Sequence, residues 1–286
     1  MLSDTTTLSF PPDGQAAVPL IFDPPLLRCS AAGPGGRRLS VLIDTGTDPS
    51  AIDLGLARRL GLRLGEFALG TGAASDSVPY TETVLPWLRL GALEVRDLFA
   101  LALDLRATPF DVDVVLGYNV LRQLVLHIDY GARRLLLRHP DLGAPPTPGA
   151  QPMPLVFHEH FPAFVDVLVD GGVGLPLATI DTGSNGGLTV GPDVAARLGL
   201  TPGADDVTYA QGAGFGGGCV VALRRGARIQ VGPFALDDIA LEAPGGASGD
   251  LARSGRANLG NGALSRFESL TIDYGRALAW AAERKG

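Results

Sequence analysis

Short apolar runs alternate with glycine-rich turns along most of the chain, and few stretches hold the 3.6-residue period of an amphipathic helix. Residues 38–43, 114–116, 124–128 and 135–137 read as strands, as do 164–169 and 175–180 further on. Alternating Phe and Leu positions in these runs are core candidates. One helix is predicted in each half. Pro192 suits a first helical position, Val194 and Leu198 lie four apart, and Gly199 marks the stop. The partner helix is expected over residues 51–60, ending at Gly61. Gly 39 and Pro 22 in 286 residues reinforce a mostly β reading.

The pattern occurs twice. Val18-Pro19-Leu20-Ile21-Phe22 is echoed by Met153-Pro154-Leu155-Val156-Phe157, and Ile43-Asp44-Thr45-Gly46-Thr47 by Ile180-Asp181-Thr182-Gly183-Ser184. Ala57-Arg58-Arg59-Leu60-Gly61-Leu62 returns as Ala195-Ala196-Arg197-Leu198-Gly199-Leu200. Leu116-Gly117 leading to Ile128-Asp129-Tyr130-Gly131 returns as Leu259-Gly260 leading to Ile272-Asp273-Tyr274-Gly275. One duplicated unit, rather than a solenoid, explains two long copies. Residues 139–154 carry six prolines and suit an extended linker. The expected organisation is an N-terminal arm over 1–15, a first lobe over 16–139, a Pro-rich linker over 140–154 and a second lobe over 155–286.

Charge narrows the function classes. Lys+Arg 23 against Asp+Glu 30 gives −7, and the basic residues are scattered. Without a basic stripe the chain is a poor nucleic-acid binder. No apolar run is long enough to span a bilayer. The polar, Thr-rich start shows no signal peptide, so the reading is periplasmic or secreted if an export signal has been removed, and cytoplasmic otherwise. Cys29 and Cys219 are read as free thiols rather than a disulfide framework.

Each half places one Asp-Thr-Gly at the end of an apolar strand. A single copy is a weak signal, whereas two copies at the same place in a repeated unit are not coincidence. Two carboxyls held about 3 Å apart cannot both ionise and share one proton. Such a pair supplies both the base that activates water and the acid that protonates the departing groups, with no metal or other cofactor. The chain here resembles an aspartic peptidase of the pepsin and retropepsin group. The strand, the Asp-Thr-Gly-Thr/Ser and the Ala-rich helix ending in Leu-Gly-Leu are most similar to bacterial retropepsin-like units, two of them in tandem.

The resemblance implies an all-β, bilobal acid-protease fold. It has two homologous β-barrel-like lobes, each with one short helix, and an active-site cleft between them. It implies a monomeric aspartic endopeptidase that acts on polypeptides, with Asp44 and Asp181 as the catalytic dyad. Gly46 and Gly183 would let backbone approach the carboxyls. Thr45 and Thr182 would lock the two loops together through their hydroxyls. Thr47 and Ser184 would donate to the carboxylates, lowering their pKa and giving an acidic optimum. Asn258 departs from the family's hydrophobic pair before Gly260, which touches strand packing rather than chemistry.

Glycine-rich flaps would close over the cleft. The candidates are Gly70, Thr71 and Gly72 through Tyr80 in the first half, and Tyr209 through Gly218 in the second, where Gly212, Gly214, Gly216, Gly217 and Gly218 would give a lid its mobility. Tyr80 or Tyr209 would be a flap tyrosine touching substrate. His158-Glu159-His160 reads as a solvated patch on an opening strand rather than a metal site. Asp48 is expected to cap the helix that follows it. Asp129 and Asp273 are expected to set turns. The rival reading is a catalytically silent binding or inhibitor protein on the same fold, which would usually have lost an aspartate or its glycine. A second rival is a processing enzyme that acts on one partner protein only.

Overall fold

The computed structural model describes residues 2–23, 25–107, 110–201, 203–214, 217–245 and 248–284. Gly216 lies outside the described residues. The chain is mostly β and forms two lobes joined by a shared sheet.

The first lobe begins with strand Arg28–Gly33, which turns through Gly35 and Gly36 at φ 71° into Arg37–Ile43. Side chains of Arg28–Gly33 alternate between buried and half-buried, as a strand on a barrel wall requires. Arg37–Ile43 pairs in parallel with Val114–Leu116, which pairs with Ser50–Asp53, which pairs in parallel with Leu93–Leu103. Val78–Leu90 then pairs with Leu93–Leu103 and, through Ala32 and Arg89, with Arg28–Gly33. Six strands thus close into a barrel. Val41, Ile43, Leu85, Leu88, Val95 and Leu98 fill it and are fully buried. At about 25 cal/mol per Å² of apolar surface, such burial is the main term holding a lobe together.

The second lobe repeats the barrel. Val173–Ile180 lies in parallel with Ala257–Leu259, then Leu188–Val190, Phe234–Pro244 and Gly217–Val231 follow. Gly217–Val231 closes onto Phe161–Val169 through Leu168 and Val169. Three strands from each half build the sheet between the lobes: Gln151–His158, Leu278–Glu283 and Phe267–Asp273, then Val125–Asp129, Arg134–Arg138 and Gln15–Pro19. At its centre His127 faces Thr271, Nδ1 to Oγ1 at 2.8 Å.

Several local expectations change. Residues 50–53 form a strand, and the helix covers only Leu54–Arg59. All four residues of Ser50–Asp53 are buried between two strands, and a short apolar run of that kind looks the same in sequence whether strand or helix. Asp53, not Asp48, caps the helix, its Oδ1 accepting from the Leu56 N–H at 2.8 Å. The other helix, Pro192–Arg197, starts at proline and ends with Gly199 at φ 70°. Leu62 N–H bonds Ala57 O, and Leu200 N–H bonds Ala195 O, so both helices end in the same glycine-dependent cap. Each lobe also has a second, one-turn helix, Tyr118–Leu121 and Asn261–Leu264. In the expected arm, Thr7–Ser9 forms a strand on the edge of Leu93–Leu103. The last residues of the expected linker, Gln151–Pro154, pair with Leu278–Ala281. Cys29 and Cys219 are free, Cys29 buried with its thiol pushed up to about 12.

Candidate active site

Each Asp-Thr-Gly follows the last residue of a central barrel strand, Ile43 in one lobe and Ile180 in the other. The one-turn helices anchor these loops. Tyr118 N–H donates to Thr47 O at 2.8 Å, and Asn261 N–H donates to Ser184 O at 2.8 Å. The glycines before the helices are required by close packing. A Cβ at Gly260 would sit 2.7 Å from Ser184 Oγ, and one at Gly117 would meet the Thr47 carbonyl. Asn261 adds Nδ2 bonds to Thr182 O at 2.8 Å and to Ser184 O at 2.9 Å.

The two loops are locked across the lobe boundary by a symmetric set of bonds. Thr45 N–H donates to Thr182 Oγ1 and Thr182 N–H donates to Thr45 Oγ1, each at 3.1 Å. Thr45 Oγ1 donates to Ile180 O at 2.6 Å, and Thr182 Oγ1 to Ile43 O at 2.8 Å. Both threonines are buried, so leaving any of these groups unpaired would cost about 1–3 kcal/mol.

This lock brings the Asp44 and Asp181 carboxyls into hydrogen bond with each other. Each also lies against the glycine of the opposite loop. A Cβ at Gly46 would stand 2.8 Å from Asp181 Cγ, and one at Gly183 closer still to Asp44 Cγ. Gly46 N–H donates to Asp44 Oδ1 at 2.8 Å and Gly183 N–H to Asp181 Oδ1 at 2.9 Å.

The outer oxygens are held differently. Thr47 Oγ1 donates to Asp44 Oδ2 at 2.6 Å. On Asp181 that place is not taken by the Ser184 hydroxyl, whose Oγ accepts from Gly186 N–H at 3.2 Å. Asp181 Oδ2 instead accepts from Asn258 Nδ2 at 2.8 Å. Asn258 is the residue whose polarity seemed a departure in strand packing. The only signal for it in the sequence is that it stands where Val115 stands in the other copy.

Burial raises both carboxyls above the ordinary range. The Asp181 charge raises Asp44 further, with Thr47 and Gly46 opposing. On Asp181 the opposing donors are Asn258, Gly183, Asp44 and the Ser184 N–H. The two carboxyls therefore titrate as one pair that shares a proton, with more donors to the charged form at Asp181 than at Asp44.

The carboxyls lie in a cleft of about 790 Å³. Gly70, Thr71, Gly72 and Tyr80 line it from the first lobe, and Gly214 from the second. Asp250 N–H, in the turn after Phe234–Pro244, donates to Gly72 O at 3.0 Å, and a Cβ at Gly214 would sit 3.0 Å from Ala73 Cβ, so residues 72–73 of the first lobe meet the second lobe at two places. Tyr209 and Gly212 are not on its wall; Tyr209 pairs with Ala222 on the outer strand and is 56% exposed.

Residues Glu159 and His160 form a two-residue hairpin turn with positive φ, not a strand. His158, Glu159 and His160 are all exposed, as expected, and the turn makes contacts besides. His160 stacks on Tyr118 with ring centroids 4.5 Å apart, and its Nδ1 lies 2.7 Å from Asp48 Oδ2. Asp48 thus joins the lobes instead of capping a helix. Glu159 pairs with Arg256 at 2.7 Å. Asp129 and Asp273 each accept a backbone N–H three residues on, from Ala132 and Arg276. Among the described residues no cluster of three His, Cys, Asp or Glu side chains is placed to hold a metal ion, and no helix is long and apolar enough to cross a membrane.

No curated protein matches the chain. Residues 32–120, most of the first barrel with Asp44 at its centre, match the family model described as aspartyl protease. Together with the barrel lobe built from those residues, that match supports an aspartic peptidase of retropepsin-like type.

Proposed function

We propose that the protein is an aspartic endopeptidase in which Asp44 and Asp181 together hydrolyse peptide bonds. The observation that carries this reading is the hydrogen-bonded pair of carboxyls, one from each copy of the repeat. A water bound between them loses a proton to ionised Asp181 as its oxygen attacks the scissile carbonyl carbon. Asp44 gives its proton to the carbonyl oxygen, and a tetrahedral diol forms. Collapse of the diol returns a proton to Asp44 and passes the Asp181 proton to the leaving nitrogen.

Only the dyad with one proton can do this. Activity therefore has an acidic optimum, and its alkaline limb, set by loss of the Asp44 proton, reaches up toward neutral pH. Because one chain carries both carboxyls, the enzyme works as a monomer, with lobes over 16–139 and 155–286. Intact Asp-Thr-Gly loops and a locked dyad favour this over a silent binding protein.

The test is digestion of an unfolded protein between pH 3 and pH 8, with and without a statine-type inhibitor. Cleavage that the inhibitor stops and that Asp44→Asn abolishes is expected. Cleavage retained by that variant, or none by the native protein at any pH, would overturn the proposal.

A further inference from the structure

The two walls of the cleft differ in chemistry at matching positions. In the first lobe Leu42 and Ala51 both pair with Val115, and Ala51 pairs with Leu101. In the second lobe Thr179 and Thr189 both pair with Asn258, and Thr189 pairs with Glu242. The same ladder positions thus hold four apolar residues in one lobe and four polar ones in the other. The difference continues beyond the ladder. Leu105 opens a 3-10 turn in the first lobe and Asp250 opens its counterpart in the second. Phe110 and Arg253 stand at the same distance ahead of Val115 and Asn258.

Leu42, Ala51, Leu101, Leu105, Phe110 and Val115 all line the cleft. From the second lobe Thr179, Asp250, Arg253 and Asn258 line it. Glu242 stands behind them, its carboxyl accepting from Gly187 N–H at 3.3 Å and Thr189 Oγ1 at 3.4 Å. The charges on this wall are balanced. Arg253 lies 3.3 Å from Asp250, and Arg256 bonds Asp250 at 2.9 Å and Glu159 at 2.7 Å.

We propose that the cleft selects a peptide with an apolar side chain against the first lobe and a polar, uncharged side chain against the second. This rests on the endopeptidase reading and names its substrate class. An apolar side chain gains by covering the first wall. On the second wall it would strip water from Thr179, Arg253 and Asp250 without replacing their hydrogen bonds, a loss that polar sites use for discrimination. A charged side chain finds no net opposite charge there, because each guanidinium is already paired and burial behind the wall favours the protonated form of Glu242. Hydrogen-bonding side chains of the Ser, Thr, Asn and Gln type remain.

The experiment uses a peptide library varied at two adjacent central positions, read in two ways. Cleavage sites are mapped by mass spectrometry with the native protein. Binding of apolar–polar and apolar–apolar peptides is measured by calorimetry with Asp44→Asn, which needs no chemistry. Apolar–polar pairs are expected to be preferred about tenfold or more in both. Thr179→Leu and, separately, Arg253→Phe install the first lobe's residue and are expected to move the preference toward apolar–apolar pairs. Arg253 lies on a half-exposed loop, so its variant still reports if Thr179→Leu fails to fold. Equal or tighter binding of apolar–apolar or charged pairs, or no peptide binding, would overturn the inference. Selective binding without cleavage by the native protein would overturn the endopeptidase reading and leave the selectivity standing.

Discussion

Replacing Asn258 by valine, the residue at the same ladder position in the first lobe, isolates one bond to the dyad. Asn258 Nδ2 donates to Asp181 Oδ2 at 2.8 Å, and this bond is the largest influence lowering a carboxyl that burial otherwise raises. A hydrogen bond to a charged group contributes about 1.5–3 kcal/mol. At 1.36 kcal/mol per pKa unit, losing it raises the Asp181 pKa by about 1–2 units. The lower limit of activity is set by protonation of Asp181, so the acid limb of kcat/KM moves upward by that amount. The alkaline limb reports loss of the Asp44 proton with Asp181 already charged. Both states on that limb contain the Asn258 bond, so it stays in place and the bell narrows from the acid side. The strand tolerates the change, since Val115 occupies the matching site in full burial. A quenched fluorescent peptide assayed across pH 2.5–8 measures both limbs. A uniform fall in rate with an unmoved acid limb would refute the argument and reduce Asn258 to a packing role.

Asp44→Asn is expected to lower hydrolysis by at least about 10³-fold while raising stability at neutral pH. Burial raises the Asp44 pKa in the folded state above its unfolded value. That stabilising proton is fully present below the unfolded pKa and is lost as pH climbs through the folded one. Asparagine cannot lose it, so the variant's Tm should exceed the native Tm at pH 7 by several degrees and match it at pH 3, read by calorimetry. Gly183→Ala should drop activity by more than about 100-fold with a displaced dyad, since the new methyl group lands on Asp44 Cγ. Native-like turnover would contradict that placement. Thr45→Val leaves Ile180 O and Thr182 N–H without their partner and should cost about 2–4 kcal/mol in urea unfolding; a loss under 1 kcal/mol would show the interlobe lock to be slack.

The sequence by itself determined the duplication, the strand-rich architecture, the Asp-Thr-Gly at the end of a strand in each half and the helix ending at Gly199. These follow from local rules, period, turn chemistry and repetition, which a linear reading can see. Tertiary structure alone decided the rest. Ser50–Asp53 became a strand because its neighbours Leu93–Leu103 and Val114–Leu116 enclose it, and neither is near it in sequence. Asp48 met His160 across the lobe boundary, while Asp53 took the helix cap expected of it. Asn258, read as a packing irregularity, proved to be a hydrogen-bond partner of Asp181. The contrast between an apolar and a polar cleft wall was equally hidden, because its positions come from four or five segments per lobe. Repetition in a chain reveals which residues are equivalent, but only the ladder register shows which of them share a surface, and chemistry in a cleft depends on the latter.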